Sequence, residues 1–232
     1  MVKKIRLLGM VIDNFTLHEE LMQSEELYKK QELNIIRTIS TKMLSMAAES
    51  QTIRAGIRQA DLLVVGDREI LTAAGIYSAQ RLREANEHGF MQEYLKLLSH
   101  SGRSAFLVAQ NQQELEILKE FLQKTYEKQL IVGGYALDAC SSDSDMMVNE
   151  INAAAPDVVL SVISSPQEDD FLLQEKVKIS ARVWYSLGEG YRNMGGKLSF
   201  MLWFRQLIHR GRFRNVIHDY EEYDKDYYNR EI

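Results

Sequence analysis

The sequence predicts an α/β fold: a Rossmann-like, mostly parallel sheet with helices on both faces, followed by a C-terminal basic amphipathic helical appendage. Three observations predict it. Short apolar runs at residues 34–39, 62–65, 104–108 and 158–163 alternate with helical patterns of ten or more residues, the signature of repeated βαβ units. The run at 158–163 is apolar on both faces, as a parallel strand covered by helices on both sides must be. Residues 197–214 then break the pattern with five cations and no acid.

Taken in order, residues 4–12 read as a strand or the entry to a short hairpin. Thr16-Leu-His-Glu19 fits a capping box and opens a helix to about Lys30. The strand at 34–39 leads into Ser40 and Thr41 and then helical segments to Gln59. Residues 60–76, ADLLVVGDREILTAAGI, read as buried strand, tight turn and helix, with Asp67 at the junction. Residues 81–89 are polar and read as loop-like or frayed, and 91–100 as a helix. After the strand at 104–108, Asn111-Gln-Gln-Glu114 resembles a cap and starts a helix to about Lys128. Leu130–Val132 runs into Gly133-Gly134, which reads as a plain turn or as a place where backbone amides approach a phosphate. The polar SSDSD run precedes a helix at 146–154. Residues 164–168 form a loop after the strand at 158–163, 171–177 a helix, and 182–187 a last strand.

The chain has 232 residues, enough to bury a substantial core, and the patterns divide it into an α/β domain at 1–196 and an appendage with an acidic tail at 197–232. A net charge of −5 argues against a general nucleic-acid binder, which needs a basic surface. The single cysteine, Cys140, excludes an internal disulfide and a thiolate-rich metal site, and the five histidines show no metal-ligand spacing. No secretory signal pattern and no run long enough to span a bilayer is visible, so a cytoplasmic protein is expected. In 197–214, Leu198, Met201, Leu202, Leu207 and Ile208 can share one side of a helix, with Arg205, His209 and Arg212 along another. Such a helix suits an anionic membrane surface; a terminal helix docked on the core with a solvated basic face fits equally.

Ligands of open α/β sheets bind at the carboxyl ends of the strands. Those ends carry Thr38, Ser40, Asp67, Gln110, Asn111, Gly133, Gly134, Ser164, Ser165, Gln167 and Glu168. There is no GxGxxG, P-loop or GxSxG, so dinucleotide, NTPase and nucleophile-elbow readings fall away. What remains is carboxylate chemistry, with Asp67 or Glu168 accepting a proton from a hydroxyl nucleophile. The plainer role for Asp67 is an N-cap, and Asp169 and Asp170 read as an acidic helix start.

Four stretches together resemble the WecG/TagA/CpsF family of bacterial glycosyltransferases: LLGMVIDNFTLHEEL, IRTISTKML, ADLLVVGDREILTAAGI and INAAAPDVVLSVISSPQEDDFL. The resemblance implies an inverting, metal-independent transfer of an N-acetylmannosamine-type or related sugar from a UDP-sugar to a polyprenyl-diphosphate-linked acceptor in cell-surface polysaccharide synthesis. It implies no cofactor. The family's catalytic aspartate falls on Asp67 after a one-residue shift, and its threonine on Thr38, the two residues expected to be catalytic. Ser40, Gly133, Gly134, Ser165, Gln167, Glu168, Arg205 and Arg212 are expected to bind substrate. The partners implied are the UDP-sugar, the lipid-linked saccharide and an anionic membrane at the inner face of the cell membrane, with a homo-oligomer left open. The family's "GtD" segment is absent from RLREANEHGF, and Ala109-Gln110 replaces its double glycine. These departures favour a second reading, a catalytically degenerate relative that binds a nucleotide sugar or a partner transferase.

Overall fold

The computed structural model describes residues 3–126, 130–139 and 144–188. Its centre is a sheet of six strands in the order β4-β3-β8-β7-β5-β6, every pairing parallel. These are β3 (Asn34–Ile39), β4 (Leu62–Val65), β5 (Ser104–Ala109), β6 (Leu130–Ala136), β7 (Val158–Ser161) and β8 (Val183–Ser186). A separate antiparallel hairpin, β1 (Lys4–Leu7) and β2 (Met10–Asp13), turns on Leu8 and Gly9, both with positive φ, as a two-residue hairpin loop requires. It guards the outer edge of β4, where the Asp13 carboxylate accepts the Leu63 N–H at 2.9 Å. An edge N–H is thereby satisfied by a side chain rather than left as a template for pairing.

The sheet sits between two apolar layers, which is why β3, β4, β7 and β8 are buried at every position. One layer joins Ile36, Val64, Leu107, Leu160 and Tyr185 to α6 (Gly89–Ser101) and α7 (Gln112–Thr125). Behind the other face, Ile35, Phe106, Val159 and Trp184 pack on α8 (Ser144–Ala154) and α9 (Gln167–Glu175). Toward β4 that second layer continues as Ile39, Leu63 and Val65 against α2 (Thr41–Glu49), α3 (Gln51–Gln59), α4 (Arg68–Ala73) and the hairpin. The Thr16–Glu19 capping box is formed and starts α1 (Leu17–Tyr28). Among the described residues, no helix is long and apolar enough to cross a membrane.

Three local readings are corrected. The polar run after Ser78 is not a loop but a helix, α5 (Ala79–Asn86), capped by the Ser78 hydroxyl. Its inward positions are Arg81 and Ala85, so the buried face carries a cation where a helical pattern would show an apolar residue. Gly133 and Gly134 form no turn; both lie inside β6. A Cβ at Gly133 would stand 2.6 Å from the Phe106 ring and one at Gly134 3.1 Å from Leu115, so they are glycines because side chains close over the strand. Finally, α9 begins at Gln167 rather than Phe171, which turns Glu168 and Asp169 inward. The expected appendage at 197–232 lies outside the described residues.

Candidate active site

The carboxyl ends of β3 and β4 lie side by side because the two strands are paired in register from Ile36↔Leu62 to Ile39↔Val65. Gly66 N–H continues the pairing to the Ile39 carbonyl at 2.8 Å. A Cβ on Gly66 would fall 2.7 Å from Thr38 Cγ2 and 3.0 Å from the Ile39 oxygen, so only glycine lets the chain leave β4 this close to Thr38. Asp67 comes next, half-buried.

Asp67 occupies the N-cap position of α4 but makes no side-chain cap bond to it. Its Oδ2 instead accepts the Thr41 N–H at 2.7 Å and the Thr41 hydroxyl at 2.8 Å. The carboxylate therefore caps the neighbouring helix, α2, and this fixes its direction while leaving Oδ1 outside both bonds. Beside it Ser40 caps α2 in the usual way, accepting from Met43 N–H.

A narrow cleft, with about 10 Å³ of free space before any side chain moves, lies between the ends of β3, β4 and β8 and the helices α1, α5 and α6. Thr38, Gly66, Tyr185 and Leu187 line the sheet side; Glu20, Arg81, Glu84, His88 and Phe90 line the helical side. Thr38 Oγ1 shares a hydrogen bond of 3.1 Å with the Tyr185 hydroxyl, whose own ionisation burial makes unfavourable. The Tyr185 ring is fixed edge-on by Phe90 and Tyr94, with centroids 5.6 and 5.4 Å away. Each such contact adds about 0.5–1.5 kcal/mol beyond area burial, so this wall is rigid.

The helical side holds the charge. Arg81 is only 4% exposed; its Nη1 donates to Glu84 Oε2 at 3.0 Å, while Nη2 is 3.9 Å from Glu20 Oε1. Arg81 Nε and Nη2 are buried without a hydrogen-bond partner. Burying a cationic N–H unpaired is costly, so these two N–H groups are donors that an acceptor entering the cleft would satisfy. His88 precedes α6 with φ 52°, a left-handed conformation, and its buried Nδ1 also has no partner. Burial pushes the His88 pKa down, and the Asp67 carboxylate opposes this, which makes Asp67 an electrostatic neighbour of the cleft. Glu20 is pushed up to about 8, mainly by burial, with Arg81 working in the opposite direction.

The remaining expected residues divide. Gln167 stays on the rim, where its Oε1 accepts from Gln110 Nε2 at 2.6 Å and ties α9 to the end of β5. Ser165 precedes it, with a buried hydroxyl lacking a partner. Glu168 is no candidate base. It is 1% exposed and accepts from Trp184 Nε1 at 3.0 Å and from Arg37 Nη2 at 3.3 Å. Arg37 follows Ile36 and precedes Thr38, so its side chain is on the opposite face of the sheet from the cleft. Asp169 completes that buried ion cluster by pairing with Arg37 Nη1. Gly133 and Gly134 lie in the edge strand β6 beneath Phe106 and Leu115 and do not line the cleft, and Arg205 and Arg212 lie outside the described residues. Sequence reasoning missed Glu20, Arg81, His88 and Tyr185. The available signal was Arg81 and Glu84 in a run too polar for a core helix but correctly capped by Ser78.

No curated protein gives a significant match to the chain. The model of the glycosyl transferase WecG/TagA/CpsF family matches residues 5–201, which includes all six strands of the parallel sheet, the Thr38–Asp67 junction and the Arg81 cleft. The chain belongs to the WecG/TagA/CpsF glycosyl transferase family.

Proposed function

We propose that this family member is an inverting glycosyltransferase that moves an N-acetylmannosamine-type or related sugar from a UDP-sugar to a polyprenyl-diphosphate-linked saccharide. The observation that carries this reading is Asp67: a carboxylate with one oxygen clamped by Thr41, at the carboxyl edge of a parallel sheet, beside a cleft with an unsatisfied buried guanidinium.

In the proposed reaction the acceptor hydroxyl attacks the anomeric carbon while Asp67 Oδ1 takes its proton. A bond forms between the acceptor oxygen and the anomeric carbon, and the bond from that carbon to the diphosphate oxygen breaks, releasing UDP. The two N–H groups of Arg81 meet the charge that develops on the departing diphosphate. Fixed donors of this kind in a dry site contribute about 2.7–4 kcal/mol each to comparable transfers. In this scheme the Arg81 N–H donors stand in the place where a metal would otherwise meet that charge. Thr38, oriented by Tyr185, and the Gln110–Gln167 pair on the rim hold sugar hydroxyls. Ser40 and Ser165 also bind substrate, as do Arg205 and Arg212 of the basic stretch 197–214, whose cations suit an anionic membrane at its cytoplasmic face.

One feature favours the alternative, a nucleotide-sugar binder without turnover: Gln110, in place of a small residue, already closes part of the rim by its bond to Gln167. Incubation of the full chain with UDP-N-acetylmannosamine and a polyprenyl-diphosphate-linked disaccharide acceptor separates the two. Release of UDP with appearance of the elongated lipid supports the enzyme; thermal stabilisation by UDP without product supports the binder.

A further inference from the structure

The buried carboxyl group of Glu20 has no part in the reaction as drawn, yet it is the nearest acid to the unpaired side of Arg81. The capping box at Thr16 sets the phase of α1, and Glu20, one residue inside it, is thereby turned inward to 4% exposure on the cleft wall. Its Oε1 stops 3.9 Å from Arg81 Nη2, beyond hydrogen-bond range, while Glu84 already neutralises Arg81 from the other side at 3.0 Å. We propose that Glu20 sets the affinity of this cleft for a diphosphate: with its proton on, it leaves the near side of Arg81 free and offers an O–H to a diphosphate, and with its proton off it competes with the diphosphate for Arg81. This rests on the reading that the cleft takes the diphosphate of a nucleotide sugar.

The charges explain why the proton matters. With Glu20 neutral, Arg81 and Glu84 cancel and two N–H donors face the cleft. With Glu20 ionised the cluster carries a net negative charge and repels an anion. Burial pushes Glu20 up to about 8, and the carboxylates of Glu84, Asp13 and Glu19 reinforce that direction against Arg81. His88 is lowered by burial and stays neutral; Tyr185 and Tyr94 are raised and stay neutral. Asp13 is engaged by Lys4 and by the Leu63 N–H. The sign follows: UDP affinity is highest below the Glu20 transition and falls as pH rises through it. If only the protonated cleft binds, Kd rises about tenfold between about pH 7 and about pH 9.

The test is calorimetric titration of the full-length chain with UDP across that pH range at fixed ionic strength, for wild type and Glu20→Gln. A roughly tenfold weakening in wild type, absent in Glu20→Gln, supports the proposal. The same pH profile in both proteins overturns it while leaving the diphosphate reading intact. No UDP binding at any pH in either protein overturns that reading and the proposal with it. Should Glu20→Gln fail to fold, wild type alone decides. Titration near pH 8.5 in two buffers of different ionisation enthalpy must show uptake of about three-quarters of a proton per UDP bound, and zero uptake refutes the assignment.

Discussion

Replacing Arg37 by Met should unfold this protein far more readily than its distance from the cleft suggests. Arg37 and Asp169 are 0% exposed and Glu168 is 1% exposed, so water screens none of the three charges. Met keeps most of the arginine stem but strands two carboxylates in the core, and breaking a buried ion pair this way costs about 3–5 kcal/mol. The surroundings cannot relax: α3 crosses α9 so closely that a Cβ on Gly56 would sit 1.9 Å from Asp169 Oδ1. Nor was the cluster perfect to begin with, since Arg37 Nε and Asp169 Oδ2 are unpaired even in the native state. Neutralising all three positions together, Arg37→Met with Glu168→Gln and Asp169→Asn, should therefore recover most of the loss, because a charge-free replacement avoids the desolvation penalty. Urea unfolding followed by far-ultraviolet circular dichroism and by tryptophan fluorescence gives both numbers; Trp184, bonded to Glu168, reports directly on the cluster. A loss below about 1 kcal/mol for Arg37→Met would mean the carboxylates are solvated or neutral and would refute a buried ion cluster of Arg37, Glu168 and Asp169.

Two glycine substitutions separate core from cleft. Gly133→Ala meets the Phe106 ring and should cost about 1–3 kcal/mol of stability in urea while the folded protein keeps its transfer rate; native stability with lost transfer would return the glycine pair to the site. Gly66→Ala pushes on Thr38 and on the Ile39 carbonyl, so kcat/KM for transfer should fall by about tenfold or more, and an unchanged kcat/KM would mean the β3–β4 junction is not where the chemistry happens.

The scaffold was legible because it obeys simple periodicities. β3 and β4 are where the apolar runs place them, and the Thr16–Glu19 box forms as its letters predict. Two readings, the polar run at 81–89 and the start of α9, failed for one physical reason: a residue type normally found at the surface was committed to the interior. Arg81 and Glu20 on facing helices, and Arg37 with Glu168 and Asp169 across the sheet, are charges that read as solvated in one dimension and become partners only in three. Gly133-Gly134 misled in the opposite sense, because backbone permissiveness and lack of bulk look identical in sequence, and here lack of bulk is what counts. Asp67 was singled out correctly as a junction acid, yet its own helix does not use it; the bond to Thr41 crosses from one βα unit to the next and has no local signature.

Asp67→Asn keeps the shape and the acceptor oxygen for Thr41 while abolishing the capacity to take a proton. Measured with the UDP-sugar and lipid-linked acceptor that wild type converts, its kcat should drop by about two orders of magnitude or more, with UDP affinity and melting temperature close to wild type. Transfer by Asp67→Asn at the wild-type rate would mean that another group takes the proton.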